Sequence, residues 1–580
     1  MVATIDIFEG SDVTTSYQTI YVNVILFGSI IERGDGEITL GLVARPDIGF
    51  VPSEDQKQMK IVLRGEGVTF NGEGDVTGGT VKSVDFINKL GLVAQLTGYP
   101  MDAQELYEAF QKALEFDFTP VYDILYNRVP YVVNGSRFGD VFGAAALGDT
   151  FFGNGGDDVL SGALGDDLIH GGKDDDRLAG GEDDDKVFGE DGNDLARGDA
   201  GQDLVDGGAG DDVLTFSAGR DTLKGGTGND FLNLEEAPSA EPITVDLGKS
   251  QIKIGADVSK ISSIEGLVGG STNGGDRYIG DGKDNFFAPQ GFDQEIDGKG
   301  GHDRLIFYRH DSFFGFATRD TSVTLDASKG VAGVFFEAEA IRFRNIESFA
   351  GSHGADTLIG SERDEEFLPL QGWDSVDGGG GIDTLSYELD LVVPDSSATK
   401  QGVTVDLAKN KATGTSGETD TIRNFENVTG STLGDDLSGD KRANELLGLD
   451  GADSLTGGNG NDTLDGGLGA DGLTGEGGRD VFGFSTALGA GNVDQIVKFS
   501  VKDDTIELDR SVFKGLKTGG LDADAFVIAK AAKDDEDRVI YDARSGALLF
   551  DADGKGGDDA VKFAELDRNL ALTEKDFVVV

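Results

Sequence analysis

The chain has 580 residues, no cysteine, 90 glycines and a formal net charge of −58. That excludes a fold built on disulfides, and it excludes nucleic acid or an anionic membrane as a direct partner unless a cation bridges them. No apolar stretch is long enough to make a transmembrane segment; Tyr21 to Ile31 comes nearest and contains Asn23.

Residues 1–134 begin with MVATIDIFEGSD, which lacks a basic region followed by an apolar run, so no secretory signal peptide is expected. Thr19 to Ile31 and Lys60 to Phe70 are rich in β-branched and aromatic residues and predict strands. Ala103 to Phe116 predicts a helix, with Leu106, Phe110, Ala113 and Leu114 on one face. The expectation for 1–134 is a β-rich domain with one or two helices.

From 135 to 234 the chain repeats. Eleven aspartates recur every ninth residue: Asp140, Asp149, Asp158, Asp167, Asp176, Asp185, Asp194, Asp203, Asp212, Asp221 and Asp230. An apolar residue stands two positions after each, from Phe142 to Leu232, and glycine stands five positions before most, as at Gly153 and Gly207. Three residue classes locked to one period require a repeating backbone. In a unit such as Gly207 to Thr215, the first six residues predict a turn, because glycine accepts left-handed angles. The last three predict a short strand whose apolar side chain points inward.

Two such units make one coil of a right-handed solenoid. Aspartates 18 residues apart, such as Asp158 and Asp176, then stack along one edge, roughly 4.8 Å from coil to coil. Bare carboxylates at that spacing repel by roughly 3 kcal/mol per pair at an effective dielectric near 20. The few inward apolar side chains cannot offset this, so a cation must bind. Calcium fits, since it takes about six to eight hard oxygens, available from carboxylates and turn carbonyls, in irregular geometry. Zinc is disfavoured in a chain with no cysteine and four histidines, and magnesium prefers to keep its waters.

These residues resemble the RTX (repeats-in-toxin) family, whose nonapeptide is G-G-x-G-x-D-x-U-x with U apolar. The resemblance implies a calcium-loaded parallel β-roll whose sixth-position aspartates ligate ions between turns of adjacent coils, with up to about nine ions in this block. Phe138 and Leu147 at the fourth position of the first two turns, and Phe216 in place of a first glycine, predict incomplete occupancy there. The lead-in, with Gly79-Thr80-Val81 and Val132-Val133-Asn134-Gly135-Ser136, also resembles secreted members of the family.

An 80-residue period follows. Asp246, Asp326 and Asp406 follow the apolar segments ITV, VTL and VTV, and Asp276, Asp356 and Asp436 keep the same spacing. Each unit predicts a β segment and a short roll with metal-ligating aspartates. Residues 235–322 carry Asp284, Asp293 and Asp303; residues 323–402 carry Asp356, Asp374 and Asp383; residues 403–484 carry Asp453, Asp462, Asp471 and Asp480. In the first two units the spacing slips by one residue, which predicts bulges or half-filled sites. The phrase Phe425-Glu426-Asn427-Val428-Thr429-Gly430-Ser431 is common in RTX proteins.

Residues 485–580 alternate like strands at Asp494 to Ser500 and Asp504 to Leu508 and close on Asp576-Phe577-Val578-Val579-Val580. This resembles the cap and uncleaved signal of proteins exported by type I secretion from Gram-negative bacteria. The fold expected is mainly β: several calcium-loaded parallel β-roll (β-solenoid) blocks, a β-rich N-terminal domain containing one or two helices, and a β-rich C-terminal cap.

No catalytic constellation stands out. His170, His302, His310 and His353 fall in no H-E-x-x-H frame, and no G-x-S-x-G elbow is present. Doublets such as Asp157–Asp158 repeat down the solenoid, as an ion ladder does and a single glycosidase pair does not. Asp551 to Gly556 has an EF-hand look, but Lys555 and Lys562 stand where the loop wants its fifth and twelfth ligands; a looser calcium site there stays open. Trp373, the single tryptophan, is expected as a packing residue at a roll edge and a spectroscopic reporter.

The function expected is a secreted calcium-binding protein, extracellular or cell-surface associated, that passes the type I secretion apparatus and folds on calcium outside the cell. Its role would be structural or adhesive, in a surface layer or matrix, through association with itself or with cell-surface polysaccharide. The alternative is a secreted hydrolase or lyase acting on polysaccharide or ester, with its activity in residues 1–134 and the rolls as export and stability module. An RTX cytotoxin would need long apolar helices, which the sequence does not supply.

Overall fold

In residues 1–130 the computed structural model describes only strand backbone. From 131 onward it describes the chain except residues 136, 144–146, 218, 238–240, 271–273, 291–292, 308–321, 335–339, 389–400 and 556–559. The helix expected at 103–116 lies outside the described residues. The chain divides into two compact units, Met1–Asp281 and Gly282–Val580.

In the first unit, strands Gly28–Gly34, Glu37–Leu42, Lys60–Phe70, Val76–Asn88 and Gly91–Asp102 form an antiparallel meander. Strand Ala3–Ile7 lies antiparallel to the last of these and parallel to Tyr131–Asn134, and so joins the meander to a parallel sheet. That sheet continues through Thr150–Phe152, Leu168–Lys173, Lys186–Asp191, Leu204–Ala209 and Thr222–Thr227. The alternate strands Asp140–Gly143, Val159–Leu164, Arg177–Glu182, Leu195–Ala200, Val213–Thr215 and Phe231–Asn233 make a second parallel sheet. The chain thus visits each sheet once per 18 residues: Ile169 pairs with Val187, Val187 with Val205, and Val205 with Leu223. This is the parallel β-roll.

Its core is the file of apolar residues two places after each aspartate, Phe142, Phe151, Leu160, Ile169, Leu178, Val187, Ala196, Val205, Leu214, Leu223 and Leu232, all buried. Identical register stacks like on like, so each residue packs against its counterparts one coil away.

The second unit repeats the plan with a longer inner file. Phe287, Leu305, Phe349, Phe367, Leu385, Val428, Leu446, Leu464, Phe482, Ile506 and Phe577 follow one another across one parallel sheet. The 80-residue period corresponds to hairpins inserted in the other sheet. Val323–Asp326 and Val331–Val334, like Thr404–Asp406 and Lys411–Thr413, run antiparallel before the parallel order resumes. The first unit carries the same hairpin at Ile243–Asp246 and Gln251–Ile254. In each hairpin the aspartate closes the turn, because Asp246, Asp326 and Asp406 accept the backbone N–H of the lysine three residues on and pair with its ammonium.

The tail closes the second unit. Strands Phe526–Ile528, Val539–Asp542, Ala547–Phe550 and Val561–Glu565 form a small sheet, with Phe484, Phe513, Phe550 and Phe563 meeting edge to face at 5.0–5.1 Å.

Candidate metal centre: the carboxylate ladders

The ninefold aspartates of the first roll are all buried, between 0 % and 3 % exposed. A buried carboxylate must find partners for its oxygens, and one of the two is satisfied by the coil before it. The backbone N–H of Asp140 donates to Oδ1 of Asp158 (2.6 Å), that of Asp158 to Asp176 (2.8 Å), that of Asp176 to Asp194 (2.8 Å) and that of Asp194 to Asp212 (2.8 Å). The opposite edge runs the same way from Asp149 through Asp167, Asp185 and Asp203 to Asp221. Each rung therefore holds the next at one fixed point.

The second oxygen is left over. Oδ2 of Asp158, Asp167, Asp176, Asp185, Asp194, Asp203, Asp212 and Asp230 is buried with no hydrogen-bond partner, as is that of Asp374, Asp383, Asp453, Asp462 and Asp471. Around it the backbone is packed to the limit of glycine. A Cβ added to Gly153 would lie well under 3.0 Å from Asp158 Oδ2 and from the carbonyl oxygen of Gly171. Gly162, Gly171, Gly180, Gly189 and Gly207 face the corresponding carboxylates in the same way. Carboxylate and carbonyl oxygens thus converge on one face of each first-position glycine. Among the described residues no group of three acidic or histidine side chains gathers as a metal cluster, so a cation held here draws on backbone carbonyls as well as carboxylates. An orphaned anionic oxygen beside a carbonyl, in a space that admits no methyl group, suits a hard divalent cation.

Without that cation the carboxylates resist ionisation. Burial, reinforced by neighbouring carboxylates and opposed by the ladder N–H, pushes Asp176 up to about 8 and Asp158, Asp185 and Asp212 to about 7. Asp167, Asp194, Asp203, Asp221 and Asp230 rise to about 6 for the same main reason. In the second unit burial takes Asp374 to about 9 and Asp383 and Asp453 to about 7.

The second unit corrects the reading of a slipped spacing. Asp284 is exposed and accepts the N–H of His302 (2.6 Å), and Asp293 pairs with Arg342 on the surface (2.8 Å). The buried positions belong to Asn285 and Gln294, one residue later, so the register runs unbroken through Asp276, Asn285, Gln294 and Asp303. Asp356, Glu365, Asp374 and Asp383 keep the same count, as do Asp435, Asn444, Asp453, Asp462, Asp471 and Asp480. Asp436 is exposed; its neighbour Asp435 faces in. Amides and a glutamate stand where aspartate was sought, and counting in nines regardless of residue type would have found them.

Three glutamates outside the aspartate pattern also join the ladders. Glu265, Glu347 and Glu426 take the N–H of Asp230, Asp303 and Asp383, each at 3.0–3.1 Å, from just before the strands Gly266–Gly269, Ser348–Ala350 and Asn427–Thr429. Asp494 and Asp504 extend the ladders past Asp471 and Asp480. Trp373 does not pack at all: it is 75 % exposed, so its emission reports the middle roll weakly. The Asp551 carboxylate is engaged by its own turn, accepting the N–H of Gly554 (2.8 Å).

A family model described as RTX calcium-binding nonapeptide repeat (4 copies) matches residues 146–178, 179–214, 217–236, 370–385 and 430–482. The chain carries RTX repeats. These repeats are calcium-binding, which agrees with the oxygen-lined turns. Ladder bonds of the same kind also occur outside the matched segments, from Asn285 to Asp303, Asp356 to Asp374 and Glu365 to Asp383.

Two solved structures are similar in part. An AlgE6R3 subunit of the Azotobacter vinelandii mannuronan C5-epimerase shares 27 % identity over 25 % of this chain and 78 % of that one, with a TM-score of 0.19. The extracellular lipase LipA from Serratia marcescens shares 10 % identity over 94 % of this chain and 86 % of that one, with a TM-score of 0.16. No curated protein matches the chain. Among the described residues no helix is long and apolar enough to cross a membrane.

Proposed function

We propose that the turn aspartates with a stranded Oδ2 are the calcium ligands, and that calcium binding is the folding switch of a secreted protein with a structural or adhesive role. The row of buried carboxylate oxygens carries this reading, because among the described residues they have no hydrogen-bond partner. Bound calcium supplies the positive charge and the missing coordination, and its binding free energy then becomes folding free energy. The chain would cross the type I secretion apparatus unfolded, where calcium is scarce, and coil up outside a Gram-negative cell. Once folded, its long acidic faces would associate with one another or with surface polysaccharide through further calcium bridges.

Calcium titration followed by far-UV circular dichroism tests the switch: the expected result is a cooperative coil-to-β transition reversed by chelator. Electron microscopy of the full chain in calcium tests the role, with sheets or filaments expected. Turnover of a polysaccharide or ester by the full chain, abolished by one carboxylate substitution within residues 1–134, would replace the structural role with an enzymatic one.

A further inference from the structure

The buried register contains turns of two kinds, and they differ in backbone as well as in side chain. Wherever Oδ2 is stranded, the residue four positions before the aspartate is left-handed: Asn154 before Asp158 (φ 74°), Gly172 before Asp176 (124°), Leu370 before Asp374 (64°) and Gly458 before Asp462 (104°). At Asp356, Glu365 and Asp435 that position is serine, and Ser352, Ser361 and Ser431 are not left-handed. Their backbone instead turns inward on the carboxylate. Ser352 donates its N–H to Asp356 Oδ2 (2.6 Å) and its hydroxyl to Oδ1 (2.8 Å). Ser361 does the same to Glu365, with both bonds at 2.6 Å, and Ser431 to Asp435 at 2.6 and 2.9 Å. Asn444 reaches the same end as a neutral side chain, accepting from Asp440 N–H (2.8 Å) and donating to the Glu426 carbonyl (2.7 Å).

We infer that these turns are calcium-independent. The oxygen that faces a cation in the open turns here accepts the serine N–H, and the other accepts the serine hydroxyl, so neither carboxylate oxygen is left without a protein donor. A cation would have to displace an N–H and a hydroxyl that point at the site. Their placement has a consequence. Asp356 and Asp435 accept the N–H of Val323 and Val403, where the hairpins at 323–334 and 404–413 begin, so in these two rolls the turn that docks on the hairpin closes by itself and ions bind in the open turns that follow. The inference rests on the calcium reading of the open turns.

Counting bound calcium per full-length chain by equilibrium dialysis and metal analysis separates the two claims. Asp374→Asn should lower the count by about one ion or more, and Asp356→Asn should leave it unchanged. Ser352→Gly, which gives Gly351 to Asp356 the full G-G-x-G-x-D pattern, should raise it by about one ion. Equal losses in Asp356→Asn and Asp374→Asn would overturn the inference, and so would an unchanged count in a Ser352→Gly chain whose dichroism is that of the parent. If Ser352→Gly does not fold, the two asparagine variants decide alone. No loss in Asp374→Asn would refute calcium binding at the open turns themselves.

Discussion

Take the chelated, calcium-free chain from pH 8 to pH 5. The buried aspartates of the first roll have folded-state values raised to about 6, 7 or 8, against about 3.9 for an unfolded aspartate. A group raised in this direction stabilises the fold fully below its unfolded value, and that stability is lost as pH rises through the folded value. For Asp167, 2 % exposed and raised to about 6, the loss at pH 8 is about 3 kcal/mol. Whole domains are stable by only about 5–15 kcal/mol, so a few such rungs suffice to unfold the metal-free roll. Far-UV dichroism in chelator should therefore show β structure at pH 5 that disappears between about pH 6 and 8. Calcium at pH 8 should restore it. Identical chelated spectra at both pH values, or more β signal at pH 8, would show that the carboxylates are not what the ion compensates.

Asp176→Asn should separate the two roles of a rung: the metal-free fold is stabilised at pH 8, while the calcium midpoint rises because an anionic ligand is gone, both readable by dichroism. Gly189→Ala places a methyl group against Asp194 Oδ2 and the Gly207 carbonyl, whereas Gly472→Ala meets nothing nearer than the Asp453 carbonyl at 3.8 Å. The first should lose at least one site, worth about 2.7 kcal/mol at a calcium concentration 100 times the dissociation constant, and the second should lose none, as urea melts at fixed calcium would show. Phe349, fully buried and 5.3–5.4 Å from the rings of Phe343 and Phe367, should cost about 3–5 kcal/mol as alanine in calcium-loaded protein.

The roll was legible in the sequence because every coil repeats three residue classes at one spacing, and the apolar file from Phe142 to Leu232 falls inside as that spacing demands. What hid was chemistry that keeps the spacing while changing the side chain. Asn285 and Gln294 hold their places without a charge, so a search for acids landed one residue early on Asp284 and Asp293. Glu347 and Glu426 stand nine before Asp356 and Asp435 and keep the spacing, but as glutamates they break the aspartate pattern; Glu265, eleven before Asp276, is put out of step by the inserted hairpin. The distinction between Ser352 and Gly172 was invisible for another reason: both sit four before an aspartate, and only the backbone shows that one gives its N–H to the carboxylate.

The direction of the hydrogen bonds gives the ladder a polarity. In the first roll the N–H of each rung from Asp140 to Asp212 is accepted by a carboxylate that lies later in the chain, as Asp140 by Asp158 and Asp194 by Asp212; in the second, Asp480 ends on Asp504 of the tail. Removing a coil from the leading side leaves every remaining N–H with its acceptor, but removing one from the trailing side strands the donor before it. The assembly is a zipper that can fray from its front and must be closed from behind.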